Sequence, residues 1–151
     1  MAPSASRPHA LSLTLLVQPG ELAVVRLPPD AHVPPWAFSP MPGALWSMTR
    51  TEEELSLVRG AGAVPSDARA ERGWRSLRIA GTIDFALTGV LASVLAPLGE
   101  AGISIFAVST FDTDYLLVRE HDLDRAIEAL RGAGHSVHPD EAERISHGDS
   151  K

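Results

Sequence analysis

At 151 residues, 44% hydrophobic and 21% charged, the chain fits one compact domain or two small ones and is too apolar for wholesale disorder. Its net charge is −6, and its arginines are scattered rather than clustered, with a single lysine at Lys151; that argues against a nucleic-acid-binding face, because neutralising phosphates needs grouped cations. The absence of cysteine excludes disulfides, thiolate metal sites and cysteine nucleophiles together.

The polar tail 1–9 is expected to be disordered. Leu11, Leu13, Leu15 and Val17 alternate with Ser12 and Thr14, which predicts a strand rather than a signal core. Pro19-Gly20 turns the chain and Leu22 to Leu27 returns as a second strand. Residues 28–43 are rich in proline, which excludes a long helix; Trp36 and Phe38 predict a stapled loop with a short helical turn. In 51–59 two signals conflict. Thr51-x-x-Glu54 matches a capping box and predicts a helix, whereas the alternation of Leu55, Leu57 and Arg59 predicts a strand. The strand is preferred because a repeat supports it: Thr49, Glu54 and Leu57-Val58-Arg59 answer Ser109, Asp114 and Leu117-Val118-Arg119.

The second half is more regular. Arg75 to Ala80 reads as a half-buried strand, followed by the polar turn Gly81-Thr82-Ile83-Asp84. Leu87, Val90, Leu91, Val94, Leu95 and Leu98 form one helical stripe, with a bend or an early last turn expected at Pro97. Ile103 to Thr110 and Asp114 to Arg119 are strands. Leu123, Ala126, Ile127 and Leu130 form a second stripe, with Asp122 and Asp124 in its first turn, where the helix dipole favours acid. His135 to Val137 is a short last strand. The order from 74 to 138 is βαββαβ, a ferredoxin-like α+β arrangement. The expected organisation is an irregular N-terminal module at 10–66, a linker at 67–73, a C-terminal module at 74–138 and a polar, disordered tail at 139–151.

Glu53 to Val58, Gly73-Trp74-Arg75, Gly89-Val90-Leu91-Ala92, Gly102 to Ile105, and above all Ser109 to Asp114 with Leu117-Val118-Arg119-Glu120 resemble the ACT-domain proteins. The likeness is to small two-module bacterial ACT proteins, to the cytosolic arginine-sensor family and to aspartokinase-type regulatory ACT modules. It implies two tandem ACT-like modules and a non-enzymatic regulatory protein that binds a small amino acid at a module or subunit interface. The arginine sensor has four modules and this chain two, so a pocket needing two such pairs would require a homodimer. The resemblance also places backbone N–H groups for the ligand carboxylate in the turn from Gly81 to Gly89. Carried over by position, the candidate ligand-binding residues are Thr82, Ile83, Asp84, Phe85 and Gly89, with Asp114 at a matching position on the following hairpin, where Thr110, Phe111 and Asp112 are further candidates. Independently of the resemblance, unpaired N–H groups at a helix start attract anions, and the two aspartates can meet an α-ammonium.

Each residue also has a plainer reading. Asp112 and Asp114 suit a hairpin turn, residues 82–85 suit an ordinary helix-capping loop, and Gly89 suits close packing. Trp36, Trp46 and Trp74 read as core or interface anchors before they read as an aromatic cage. Among the histidines, His135 and His138 are three apart at a strand end and no carboxylate pair completes a shell, so no metal is expected. No nucleophile–base pair stands out, Gly60-Ala61-Gly62-Ala63 is not a phosphate loop, and no cofactor is expected. No window approaches the ~18 apolar residues of a membrane helix, so the protein is expected to be cytoplasmic, without a membrane partner, and to act on a regulated protein that the sequence does not identify. The alternative from another class is a ligand-free dimeric interaction scaffold.

Overall fold

The computed structural model describes residues 11–39, 45–81 and 88–140. Eight strands form one sheet: β1 (Thr14–Val17), β2 (Leu22–Leu27), β3 (Ser47–Arg50), β4 (Leu55–Gly60), β5 (Ala70–Ile79), β6 (Ile105–Ser109), β7 (Asp114–Arg119) and β8 (Ser136–Pro139). Helices α1 (Val90–Glu100) and α2 (Leu123–Gly132) lie over its C-terminal half. The expected α+β class is therefore observed, with β5-α1-β6-β7-α2-β8 as the βαββαβ unit.

The long strand β5 holds the molecule together. Its first residues pair with β2, and from Trp74 to Arg78 it pairs with β7. Gly73 separates the two stretches with φ +78°, a conformation that costs a side-chain-bearing residue about 1–2 kcal/mol, and the β2–β5 register slips beside it. The stretch expected as a linker, 67–73, thus already contains the start of β5.

One pairing departs from the ferredoxin-like pattern. In that pattern the last strand pairs with the first; here β1, from the start of the chain, lies between them. Leu15 to Val17 pair antiparallel with Ile79 to Leu77, and Thr14 to Val17 pair parallel with Ser136 to Pro139. Beyond the strand, the Asp140 N–H reaches the Val17 carbonyl and the Gln18 side chain reaches the Asp140 carboxylate. A strand pattern in the sequence gives faces and not partners, which is why this insertion was not foreseen.

Three apolar clusters follow the strand alternation. On the helix face Leu15, Leu77, Ile79, Leu116, Val118 and Val137 pack against Val94, Leu98, Ala126 and Leu130. In the N-terminal half the core is Ala23, Val25, Ala37, Leu55, Leu57 and Val64, covered by 3-10 turns at Pro35–Phe38, which opens on proline, and Ala61–Ala63 in place of a helix. The opposite sheet face buries Leu22, Val58, Trp74 and Leu117, with Phe106 and Tyr115 at its margin. Phe106 of β6 also lines a shallow groove of about 240 Å³ with Val24, Arg26, Glu54 and Ser56.

The two hairpins correspond closely, but not in the alignment read from the sequence. Arg50 pairs with Leu55 and Ser109 with Asp114 across their turns. Thr51 and Thr110 open the turns in the same way: each N–H bonds the carbonyl three residues on, and each hydroxyl accepts from the N–H of that residue. Asp114 therefore matches Leu55 and not Glu54, and Leu117 matches Val58, both of them in the shared back-face cluster. The sequence alignment was out by one residue, and in a strand that slip exchanges the two faces. The capping-box chemistry of Thr51 is also real, but it closes a turn into β4 rather than starting a helix.

Candidate functional site

Two segments converge at the C-terminal end of β5. The first is the connection from Ile79 to α1, of which Thr82, Ile83, Asp84 and Phe85 lie outside the described residues. Its last residue, Gly89, has φ +79°, and no side chain among the described residues caps the helix that follows. The Gly89 carbonyl accepts the first helical bond, from the Ser93 N–H at 2.9 Å. A helix start without a side-chain cap leaves backbone N–H groups directed outward, where an anion is favoured.

The second segment is the β6–β7 turn. Thr113, 8% exposed, donates its hydroxyl to the Ile79 carbonyl at 2.7 Å and so fastens the turn to the end of β5. The Thr110 hydroxyl is used within the turn, donating to the Thr113 carbonyl at 3.0 Å and accepting its N–H at 3.2 Å. Phe111 is 81% exposed and Asp112 is exposed.

Asp114 differs from its neighbours. It alternates in phase with Leu116 and Val118, which face α1 and α2, and it matches the buried Leu55 of the other hairpin. A carboxylate thus occupies a position that the fold otherwise fills with a core side chain, at the end of the sheet where α1 begins. One of its oxygens accepts the Ser109 hydroxyl from the opposite strand; the other has no hydrogen-bond partner among the described residues. The chemistry available is a carboxylate at the same end of the sheet as an anion-favouring helix start, which are the two complements of a zwitterion. Of the nine candidate residues, Thr110, Phe111, Asp112 and Asp114 share one turn, Gly89 stands at the helix start, and four are outside the described residues.

The sequence reading missed Thr113 and Ser109, which position the turn and Asp114. Ser109 stood in the motif but only its pairing with Asp114 shows its use. A hydroxyl buried inside a turn leaves no pattern in one sequence.

The tryptophans do not form a cage. Trp36 packs on the N-terminal core. Trp46 stands edge-on to Phe38 at 5.9 Å with the Arg59 guanidinium 5.9 Å from its ring. Trp74 is covered by Arg119 at 4.2 Å and by the edge of Phe106. The faces of Trp46 and Trp74 are thus met by the chain's own arginines. His135 and His138 cannot share a metal: His135 is buried and His138 exposed, as an odd spacing in a strand requires. No group of three metal-ligating side chains occurs among the described residues. A larger groove, about 710 Å³, lies between α2 and the ends of β1 and β8, lined by Val17, Leu123, Ile127, Val137 and Arg75, at the opposite end of the helical layer from Asp114.

With that geometry in place, comparison with known proteins defines the class. Residues 69–132 match the ACT-domain family model, so this stretch of the chain is an ACT domain. Residues 20–67 match a second family described only as an N-terminal domain. The chain is 33% identical over 96 residues to the human protein named cytosolic arginine sensor for mTORC1 subunit 1, an alignment covering 56% of this chain and 29% of that protein. The chain therefore spans under a third of the length of that relative. A crystal structure of an Agrobacterium tumefaciens protein is 39% identical, with a TM-score of 0.80, covering 87% of this chain and 96% of that one. The ligand-free regulatory subunit of aspartate kinase from Thermus thermophilus shares the fold at 11% identity, with a TM-score of 0.54 and coverage of 82% and 99%. The named relatives are sensors and regulatory subunits, the sensor is named as cytosolic, and no described helix is long and apolar enough to cross a membrane.

Proposed function

We propose that this is a non-enzymatic, cytoplasmic regulatory protein that binds a small α-amino acid at the end of β5 where α1 begins. The ligand carboxylate meets the N–H groups after Gly89, and its ammonium meets the Asp114 carboxylate. Thr82 to Phe85, Thr110, Phe111 and Asp112 form the rest of the pocket. The observation that carries this reading is Asp114 itself, a carboxylate at a core-facing strand position whose one hydrogen-bond partner among the described residues is Ser109. The relative named as an arginine sensor supports the ligand class.

The proposed modules are 10–66 and 74–138, and the assembly is a homodimer that relays the ligand to a regulated protein. The outer edge of β6 favours such pairing: Ile105 to Ser109 carries neither charge nor proline, whereas β8 ends in Pro139 and β3 in Arg50. A pocket completed at such an edge couples binding to assembly, because a ligand shifts an equilibrium only by its different affinity for the two states. The ligand-free scaffold is the second reading, favoured by the engagement of the Thr110 hydroxyl within its own turn.

Thermal unfolding in the presence of each of the twenty amino acids tests the first reading. A ligand at ~100 times its dissociation constant should stabilise the protein by about 2.7 kcal/mol, and the Asp114→Ala variant should lose that shift. A cooperative melt that no amino acid moves would overturn the sensor and leave the scaffold.

A further inference from the structure

Pro97 has no N–H, so the carbonyl of Ser93, four residues earlier in α1, loses its helical donor. The carbonyl does not go unpaired: Nε2 of His135, from the strand end beyond α2, lies 2.9 Å away. On the other side of the ring the Leu13 N–H donates to Nδ1 at 3.1 Å. A carbonyl only accepts and a backbone N–H only donates, so the ring sits as the neutral tautomer protonated on Nε2. His135 is 5% exposed, and the next residue completes the attachment, with the Ser136 N–H on the Leu13 carbonyl at 2.9 Å.

These bonds form an unbroken series. The Ser93 N–H bonds the Gly89 carbonyl, the Ser93 carbonyl accepts from His135, and His135 accepts from Leu13 at the approach to β1. In an uninterrupted helix the Ser93 carbonyl would be satisfied within α1 and the series would stop there. We propose that His135 is a coupling residue that ties the start of α1 to β1, so that a change at Gly89 alters how firmly the first strand is held in the sheet. The regulatory consequence, ligand entry at α1 tightening or loosening β1, rests on the function proposed above; the tie itself does not.

The test needs no ligand. Nitrogen NMR of the His135 ring should report a proton on Nε2, and a proton on Nδ1 would overturn the assignment. Hydrogen exchange at the Leu13 amide should quicken about tenfold in His135→Leu, since a lost hydrogen bond is worth about 1 kcal/mol or more when the donor is left unpaired. Gly89→Ala, where an added Cβ meets no atom within 4 Å and only the backbone is strained, should also quicken exchange at Leu13 in the wild-type background. That effect should vanish in His135→Leu and shrink in Pro97→Ala, which keeps the histidine but returns a helical donor to Ser93. An equal effect of Gly89→Ala in all three backgrounds would sink the coupling. If no amino acid binds, the proposed function fails and these ligand-free results still stand; if binding persists without coupling, only the tie fails.

Discussion

The β3–β4 and β6–β7 hairpins begin alike and end differently. Both are opened by a threonine that closes its own turn, and both send one buried residue, Val58 or Leu117, into the shared back-face cluster. They part on the other face. Over β6–β7 lies α1, whose Val90, Val94 and Leu98 are buried, and the hairpin answers with Leu116 and Val118. Beside β3–β4 a proline-bounded 3-10 turn stands instead, and the position matching Val118 is Arg59, whose guanidinium bonds the Ser39 carbonyl and faces Trp46. The hairpin is thus a self-sufficient unit in this fold, and the cover above it is the variable part. Of the two hairpins, only β6–β7 has a described helix start beside its turn, and only there does the first strand position carry a carboxylate, Asp114, in place of leucine.

The strongest way to break this comparison is to empty the two cores at matched positions. Leu57→Ala and Leu116→Ala both remove fully buried side chains, and each should cost about 2–5 kcal/mol in chemical denaturation. If the halves fold as one unit through β5, both variants should still show a single transition; a second transition in Leu57→Ala alone would mean that the N-terminal half unfolds separately. A smaller effect is expected at the turn. Thr113→Val removes the bond to Ile79 and should cost about 1–2 kcal/mol, read from the melting temperature, because it leaves a carbonyl at the end of β5 without that donor. Thr51→Val has no equivalent bond between elements to lose and should cost less. The smallest change sharpens the site. Asp114→Leu, copying Leu55, should leave stability unchanged or slightly raised, within about 0.5–1 kcal/mol, while abolishing ligand-induced stabilisation. Marked destabilisation would instead make the Ser109–Asp114 pair a structural bond.

What the sequence made legible follows from what a strand or helix pattern encodes. The βαββαβ order and the two helices could be read because alternation and the i, i+3, i+4 stripe mark faces directly. The turn carrying Asp112 and Asp114 was visible as polar residues between two strands. The register of the repeat was not, since Glu54 and Leu55 stand side by side and only the cross-turn pairing decides which of them matches Asp114. The place of β1 was hidden for a different reason: its partner β8 is more than a hundred residues away, and neither strand carries a mark of the other. Pro97 looked like a defect in a helix until the ring of His135 was found on the carbonyl it vacates.

The insertion of β1 between β5 and β8 has a consequence for how the chain comes into being. Thr14 is among the first described residues to leave the ribosome, and Ser136, its neighbour in the sheet, is among the last. That strand must therefore wait, with its backbone groups on that side unpaired, until the residues up to Ser136 have been made. Contacts between such distant positions close slowly, because the loop entropy is lost before the contact forms. During that interval the apolar face of Leu15 and Val17 is open to other chains, and the newborn protein is at its most vulnerable to aggregation or to a chaperone's grasp.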